Sequence, residues 1–219
     1  MSDLFFSIQL SFMVATVSTA IVSFAGAILG YVLARLRFPG RNLLDAICTL
    51  PLILPPTVVG FYLLGIFGRQ GWLGQHLYQI TGWSPVFTWQ AAVIASVVIS
   101  IPLMVKTSKA AFESVDAALE DVSLTLGKSK LETIFHVTLP LAARGLIAGA
   151  ALSFARALGE FGATLMIAGN IPGKTQTLPL LIYQATLTGE TNMVLSTVLI
   201  LSAFSFLVSL MSNKMGARL

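Results

Sequence analysis

Two charged side chains, Arg156 and Glu160, stand in the stretch SFARALGEFGAT, which is otherwise apolar, small or hydroxylic. Between Gly145 and Gly173 the sequence has no other Asp, Glu, Lys or Arg. Residues four apart on a helix lie on one face, so the guanidinium and the carboxylate can form an ion pair. Three roles are open to such a pair: a structural lock between helices, a gate or pathway for an anion that the arginine attracts, or proton transfer by the carboxylate.

The composition indicates where this pair lies. The 219 residues are 56% hydrophobic and 10% charged, and the mean hydropathy is +0.86. A soluble domain carries about 25% charged residues, and a membrane-spanning helix needs about 20 apolar residues. We therefore predict an all-α integral membrane protein with one transmembrane domain over residues 1–219. Its five transmembrane helices are expected at about 8–34, 46–67, 89–105, 144–168 and 192–212.

Basic residues are concentrated on one side of these spans. One side has Arg35, Arg37, Arg41, Lys106, Lys109, Lys128, Lys130, Arg144, Lys214 and Arg218, and the other has Arg69 and Lys174. Because the more basic loops stay in the cytoplasm, we predict an external N-terminus and a cytoplasmic C-terminus. The bases are spread over several loops without aromatic residues that could stack on nucleotides, so no nucleic-acid partner is expected.

The fourth predicted span carries the ion pair at membrane depth, where charged residues face protein or water and usually pair. Small residues recur every four positions on two of its faces, which predicts close helix packing and allows a subunit interface. The small residues are Gly145, Gly149, Ser153 and Ala157 on one face, and Ala151, Ala155, Gly159 and Ala163 on the other. Prolines at 51, 55 and 56 predict a bend in the second span. The candidate pathway or gate residues are Pro55, Pro56, Arg156, Glu160 and Thr164.

The cytoplasmic loop 106–143 predicts two helices joined by a glycine turn. Apolar residues spaced by three and four from Phe112 to Leu126 predict a helix with one apolar stripe. Gly127 follows, and glycine readily adopts the left-handed conformation that ends a helix.

A short second helix is predicted directly after that turn. Ser129 with Glu132 three residues later has the spacing of a capping box, and Pro140 allows a further helix to begin. The hairpin could lie on the membrane surface or dock a cytoplasmic partner.

The stretch DVSLTLGKSKLETIFHVTLP within this loop resembles the signature of binding-protein-dependent ABC importer permeases. That signature reads Glu-Ala-Ala, three residues, Gly, nine residues, Ile, one residue, Leu-Pro. Asp121 takes the acidic position, with Glu120 as a neighbouring candidate, and the resemblance implies that 128–136 is a coupling helix held in a cleft of an ATP-hydrolysing subunit. The implied coupling residues are Glu120, Asp121, Gly127, Lys128, Ser129, Glu132, Leu139 and Pro140.

Two more stretches, LPLILPPTVVGFYLL and FARALGEFGATLMIAGNIPGKTQTLP, resemble the molybdate branch of these permeases, with sulfate and thiosulfate permeases as close relatives. The resemblance covers roughly residues 7–210. It implies a type I ABC importer permease fold in the bacterial inner membrane. It also implies a homodimer that works with two ATPase subunits and an external molybdate-binding protein.

The resemblance leaves tungstate and sulfate open as cargo. The chain has no GxxxxGK[ST] phosphate loop, so ATP hydrolysis is expected on a partner, and neither catalysis, a cofactor nor a metal site is expected here. An ion-coupled secondary carrier is a weaker alternative, because such carriers usually have ionisable residues in both halves of the chain.

Overall fold

The computed structural model describes residues 2–216, and its regular structure is helical throughout that range. The helices are α1 (Ser2–Arg35), α2 (Arg41–Ile53), α3 (Pro56–Phe67), α4 (Trp72–Thr81), α5 (Trp89–Glu113), α6 (Ala117–Thr125), α7 (Lys130–Thr133), α8 (Leu139–Leu158), α9 (Gly162–Ala168), α10 (Leu178–Thr188) and α11 (Thr191–Gly216), with a π-helical turn at Ile134–Thr138. Within the described range, four helical stretches are long and apolar enough to cross a membrane, or five if α2 and α3 form one bent span. The all-α multi-span prediction is confirmed. The sidedness of the termini stays a prediction, and Arg218 lies outside the described residues.

Helix α5 is the centre of the packing. In the most apolar 18-residue segment of α5, 61% is buried, against 6% in that of α11. Helix α5 packs on α1 and α8. The helix continues to Glu113, past the predicted span limit at 105. The charged residues that set this predicted limit lie within the helix and do not end it. Lys106 and Lys109 pair with Asp45 of α2 at 3.6 and 2.7 Å.

Helices α1 and α5 approach each other closely at Gly30. A Cβ atom at this position would collide with Ser108 and would lie 2.9 Å from the backbone nitrogen of Lys109. A backbone atom cannot move aside as a flexible side chain can, so the two helices would have to separate.

We therefore expect Gly30→Ala to destabilise the protein by about 1–3 kcal/mol, the usual cost of overpacking a core. The matched control is Gly65→Ala in α3, where an added Cβ would have no neighbour within 4 Å. Thermal unfolding in detergent should show a lowered midpoint for the first variant alone. Equal midpoints for the two variants would contradict the close approach.

The second predicted span is broken where the prolines predict a bend. Helices α2 and α3 meet at 113°, so the segment 46–67 is not one straight helix. Leu54 and Pro55 each precede a proline, which disfavours helical backbone, and both are extended, with ψ of 143° and 135°. Pro51 lies inside α2 without ending it, which corrects its assignment to the break.

The fourth predicted span also differs from the expected 144–168. Its helix α8 begins at Leu139 and ends at Leu158, and α9 resumes only at Gly162. The intervening Glu160 accepts a hydrogen bond from the Ala163 N–H. This carboxylate therefore satisfies a free backbone donor at the start of α9, as a capping residue does, and the broken helix is stabilised at that point.

The predicted cytoplasmic segment is divided into more helices than the apolar stripe predicted. Phe112 belongs to the end of α5, whereas Val122 belongs to α6, so one helix from 112 to 126 is wrong. The reason is Asp116, whose carboxylate accepts a hydrogen bond from the Ala118 N–H and caps a new helix. Leu126 is 78% exposed, so the stripe does not form one buried face.

Two short helices lie in the predicted external loops, where the sequence predicted no regular structure. Helix α4 has 10 residues and α10 has 11. Both are too short to cross a membrane, so long uncharged runs in the sequence do not predict them.

Candidate functional site

The turn after α6 has the glycine geometry that the sequence predicted. Gly127 has a φ of +85°, in the left-handed region that glycine adopts at low cost. The Gly127 N–H donates to the Leu124 carbonyl at 3.0 Å, and the Lys128 N–H donates to the Ser123 carbonyl at 3.2 Å. This pair of bonds is a Schellman motif, which fixes the direction in which the chain leaves α6.

The next residues form the predicted capping box. The Glu132 N–H donates to the Ser129 hydroxyl at 3.3 Å, and the Ser129 N–H donates to the Glu132 carboxylate at 2.8 Å. The bonds that the Ser129 N–H and the Ser129 hydroxyl donate to this carboxylate, with Lys128 nearby, lower the pKa of Glu132 in this predicted cytoplasmic segment. The carboxylate therefore stays ionised and keeps the start of α7 at a defined residue.

Pro140 predicted that a new helix begins after the short one, but α7 does not end before the membrane helix α8. A π-helical turn at Ile134–Thr138 continues it directly into α8, and the Leu139 N–H reaches back to the Ile134 carbonyl. Pro140 has no N–H to donate, and its ring would clash with the carbonyl four residues earlier in a regular α-helix. The wider π-helical turn that precedes it leaves room for the ring. The predicted coupling helix 128–136 is thus one end of a continuous helical stretch, Lys130–Leu158, of 29 residues.

Glu120 joins this stretch to α1. Its Oε1 atom lies 2.9 Å from the Arg35 guanidinium and accepts a hydrogen bond of 2.7 Å from the Thr138 hydroxyl. The same Arg35 nitrogen donates to the Val115 carbonyl at 2.8 Å. Asp121, to which the signature assigned the acidic position, is exposed. The geometry therefore places the neighbouring candidate, Glu120, at the joint between three helices.

The loop signature does not predict Arg35 as a partner in this joint. The signal in the sequence was the position of Arg35 directly after the first predicted span, at the end of α1, where a cation is favoured by the helix dipole. The structure adds a second link nearby, because the buried hydroxyls of Ser123 and Thr133 lie 2.9 Å apart. This hydrogen bond joins α6, before the glycine turn, to α7, after it.

Glu120→Ala is expected to lower stability by about 1–3 kcal/mol, because Arg35 and Thr138 each lose a half-buried partner. Asp121→Ala is the matched control, since it removes a carboxylate from the adjacent, exposed position of the same helix. Thermal unfolding in detergent measures both. A larger loss in the Asp121 variant would instead favour the acidic position that the signature assigns.

The buried ion pair forms, although not on a continuous helix. Arg156 Nη1 lies 2.8 Å from Glu160 Oε2, and the Glu160 side chain is 1% exposed against 29% for Arg156. The other carboxylate oxygen of Glu160 accepts a hydrogen bond of 2.8 Å from the Ala163 N–H. With both oxygens engaged and almost no exposed surface, this carboxylate is poorly placed for proton transfer to a substrate.

The two broken helices meet next to this pair. A Cβ atom on Gly162, at the start of α9, would lie 3.1 Å from the Pro56 Cβ, and one on Gly60 of α3 would lie 2.8 Å from the Ala163 Cα. Pro55 and Pro56 are exposed, whereas Thr164 is buried in α9. The structure thus brings the proline bend of α2–α3 against the break that holds Glu160.

The first stripe of small residues packs within the chain. Added Cβ atoms on Gly145 and Gly149 would meet Ala111 and Thr107 of α5. On the second stripe Gly159 is exposed. Helix α5 therefore covers this part of the first stripe within the chain, and the subunit interface that the fourth span allows stays a prediction.

The architecture matches that of known transporters. A family model described as the inner-membrane component of binding-protein-dependent transport systems matches residues 5–219. The permease of an inward-facing methionine ABC transporter aligns with a TM-score of 0.75 at 17% identity, covering 98% of this chain and 95% of that one. A bacterial alginate ABC transporter, solved with its alginate-loaded periplasmic protein, aligns at 0.74 and 14% identity, covering 98% and 78%.

Curated relatives are closer in sequence. The molybdenum transport system permease ModB of Escherichia coli K12 is 47% identical over 158 residues, 72% of this chain and 69% of its own length. The Bacillus subtilis protein YvgM, whose name assigns it to molybdenum transport, is 44% identical over 207 residues, 94% of this chain and 91% of its own. The sulfate permease CysT of Salmonella typhimurium is 42% identical over 158 residues, but these are 57% of that protein.

The family model matches residues 5–219, a range that contains the glycine turn, the capping box and both broken helices. The chain therefore belongs to the family of inner-membrane components of binding-protein-dependent transport systems.

Proposed function

We propose that this inner-membrane protein is the permease subunit of an ATP-driven molybdate importer. It would act as a homodimer with two cytoplasmic ATPase subunits and an external molybdate-binding protein. The observation that carries the cargo assignment is the identity of 44–47% to permeases named for molybdenum transport. The sulfate permease CysT supports the alternative less well, because this chain spans only 57% of its length.

The coupling segment supports ATP-driven transport. The Schellman turn at Gly127 and the capping box at Ser129 fix a short helix that continues into the membrane helix α8. A displacement of α7 by an ATPase subunit would be carried along this helix because its backbone hydrogen bonds resist compression. Glu120 would transmit part of the same displacement to α1 through Arg35.

The far end of α8 is the place where that movement would act. The helix ends at Leu158, next to the Arg156–Glu160 pair and the proline bend of α2–α3. Breaks in membrane helices are tolerated where they line a cavity or are covered by protein, and they provide hinges. We infer that Pro55, Pro56, Glu160 and Thr164 belong to a gate that opens and closes between the two subunits.

Arg156 would attract an oxyanion at this gate, while Glu160 would keep its affinity low. An arginine can bind two oxygens of a tetrahedral dianion, but a strong site would slow release into the cell. The paired carboxylate at 2.8 Å already neutralises the guanidinium. Selection of molybdate would then be left to the external binding protein.

Reconstitution tests this function directly. The chain is placed in proteoliposomes with its ATPase subunit, and the molybdate-loaded binding protein is supplied on the opposite side from ATP. Uptake of molybdate should require ATP and both partners, and an ATPase subunit lacking its catalytic carboxylate is the control. Uptake without the ATPase subunit would contradict the proposal and favour an ion-coupled carrier, whereas preferential uptake of sulfate would contradict the cargo.

A further inference from the structure

A basic cavity lies between the end of α1 and the start of α7. Its volume is about 490 Å³, and Arg35, Arg37, Arg41 and Lys130 line it together with a single carboxylate, that of Glu120. A second hollow of about 270 Å³ shares Arg37 and Arg41 with the first. Four cations against one anion give this surface a positive potential, which favours an anionic ligand.

Two of these cations are not neutralised by the protein. Arg35 is paired with Glu120 at 2.9 Å, and Arg41 lies 3.5 Å from Glu113. Within residues 2–216, Arg37 and Lys130 have no ion-pair partner, and both are exposed. Two free positive charges that converge on one cavity from separate segments favour the binding of an anionic group such as a phosphate.

Exposed apolar side chains beside the cavity indicate what carries that phosphate. Leu36 lines the cavity and is 48% exposed, and Phe38 lines the second hollow. Leu43 and Ile47 of α2 follow one turn apart, with 66% and 58% of their surface exposed. Leu43 and Ile47, four residues apart, lie on one face of α2 and form an exposed apolar stripe there. A free phosphate would gain nothing from such a stripe, whereas an acyl chain would cover it.

We propose that this basic cavity binds the headgroup phosphate of an anionic phospholipid whose acyl chains lie along the exposed face of α2. Basic pockets at the cytoplasmic ends of membrane helices are suited to anionic headgroups. Since Lys130 begins α7 and Arg35 ends α1, the lipid bridges the coupling segment to the first membrane helix. The lipid thereby stabilises one arrangement of α7 relative to α1.

The test compares two double variants that remove the same charge. Arg37→Gln with Lys130→Gln empties the cavity of its two unpaired cations, and Arg69→Gln with Lys174→Gln removes two exposed cations elsewhere. Each purified chain, without any partner protein, is placed in nanodiscs of phosphatidylcholine mixed with phosphatidylglycerol. Native mass spectrometry then measures which lipids stay bound after release into detergent.

The wild-type chain and the Arg69/Lys174 variant should retain phosphatidylglycerol in preference to phosphatidylcholine. The Arg37/Lys130 variant should lose about 30-fold in that preference, since each basic residue contributes about fivefold to binding an anionic membrane surface. An unchanged preference in this variant, or an equal loss in both, would overturn the proposal. Displacement of the bound phosphatidylglycerol by inorganic phosphate would overturn the assignment to lipid.

The experiment uses neither ATP nor molybdate, so its result does not depend on whether the proposed transport function is correct. Thermal unfolding of both variants shows whether they are folded, which is expected since all four side chains are exposed. As a second variant, Leu43→Gln with Ile47→Gln should weaken retention of phosphatidylglycerol while leaving the four cations in place. Full retention in this variant would contradict the role of the apolar stripe.

Discussion

Glu160→Ala is expected to destabilise the protein by about 3 kcal/mol or more, because it leaves a guanidinium unpaired inside the membrane domain. It also removes the oxygen that accepts the Ala163 N–H, so the start of α9 loses its cap. The expected result is a strongly lowered unfolding midpoint in detergent and a reduced yield of monodisperse protein. Uptake should fall further than the yield, because the break between α8 and α9 loses its fixed geometry.

Three further variants separate the ion pair from the cap. Glu160→Gln keeps an oxygen for the Ala163 N–H but loses the charge, so it measures the ion pair alone. Arg156→Met removes the cation and leaves the carboxylate buried, which should be as damaging because Glu160 is the less exposed partner. The double variant Arg156→Met with Glu160→Gln should recover part of the lost stability, since neither charge is then left unpaired.

The same variants distinguish a lock from a gate. If the pair is only structural, the double variant should recover uptake in proportion to its stability. If the pair belongs to the gate, stability should recover while uptake stays low. Unchanged stability and uptake in Glu160→Ala would contradict both roles and would mean that water already hydrates Arg156.

Local chemistry made part of this structure predictable from the sequence. The capping box joins Ser129 to Glu132 over three residues, and Gly127 ends a helix through bonds to positions within five residues. The bend at Pro55–Pro56 follows from the rings themselves. In each case the residues that determine the geometry are neighbours in the chain, so their spacing is sufficient evidence.

The sequence was insufficient where a distant contact or a competing cap decides the geometry. The loop signature left Asp121 and the neighbouring Glu120 as candidates for the acidic position, and the contact that distinguishes them, from Glu120 to Arg35, joins residues 85 positions apart. Asp116 began a new helix inside a regular apolar pattern. The span expected at 144–168 was broken because the Glu160 side chain satisfies both Arg156 and a backbone donor. The spacing of apolar residues does not predict such polar contacts.

Gly127→Val is expected to separate ATP hydrolysis from uptake without unfolding the protein. An added Cβ would have no neighbour within 4 Å, so the substitution creates no collision. Its cost is the backbone conformation, because φ of +85° is unfavourable by about 1–2 kcal/mol for a residue with a side chain, and a β-branched residue is worse. The chain can relieve this only by changing the direction in which α7 leaves α6.

A change of direction at this turn should reduce the fraction of complexes with α7 correctly docked. A cost of about 1–2 kcal/mol corresponds to a loss of about 5- to 30-fold in a two-state equilibrium, and uptake per ATP hydrolysed should fall by that factor. The reconstituted system measures both rates in one preparation. Gly127→Asn should retain most of the coupling, because asparagine tolerates the left-handed region better than other residues.

The matched control is Gly189→Val, at the end of α10 on the predicted outer side. Gly189 has a φ of +77° and no neighbour within 4 Å of an added Cβ, so the two substitutions impose the same local strain at opposite ends of the molecule. If strain alone reduced uptake, both variants would be impaired equally. Coupling that is lost in the Gly127 variant and kept in the Gly189 variant locates the transmission of work at the turn before α7. Normal uptake per ATP in Gly127→Val would contradict that role, because the direction of α7 would then not matter for transport.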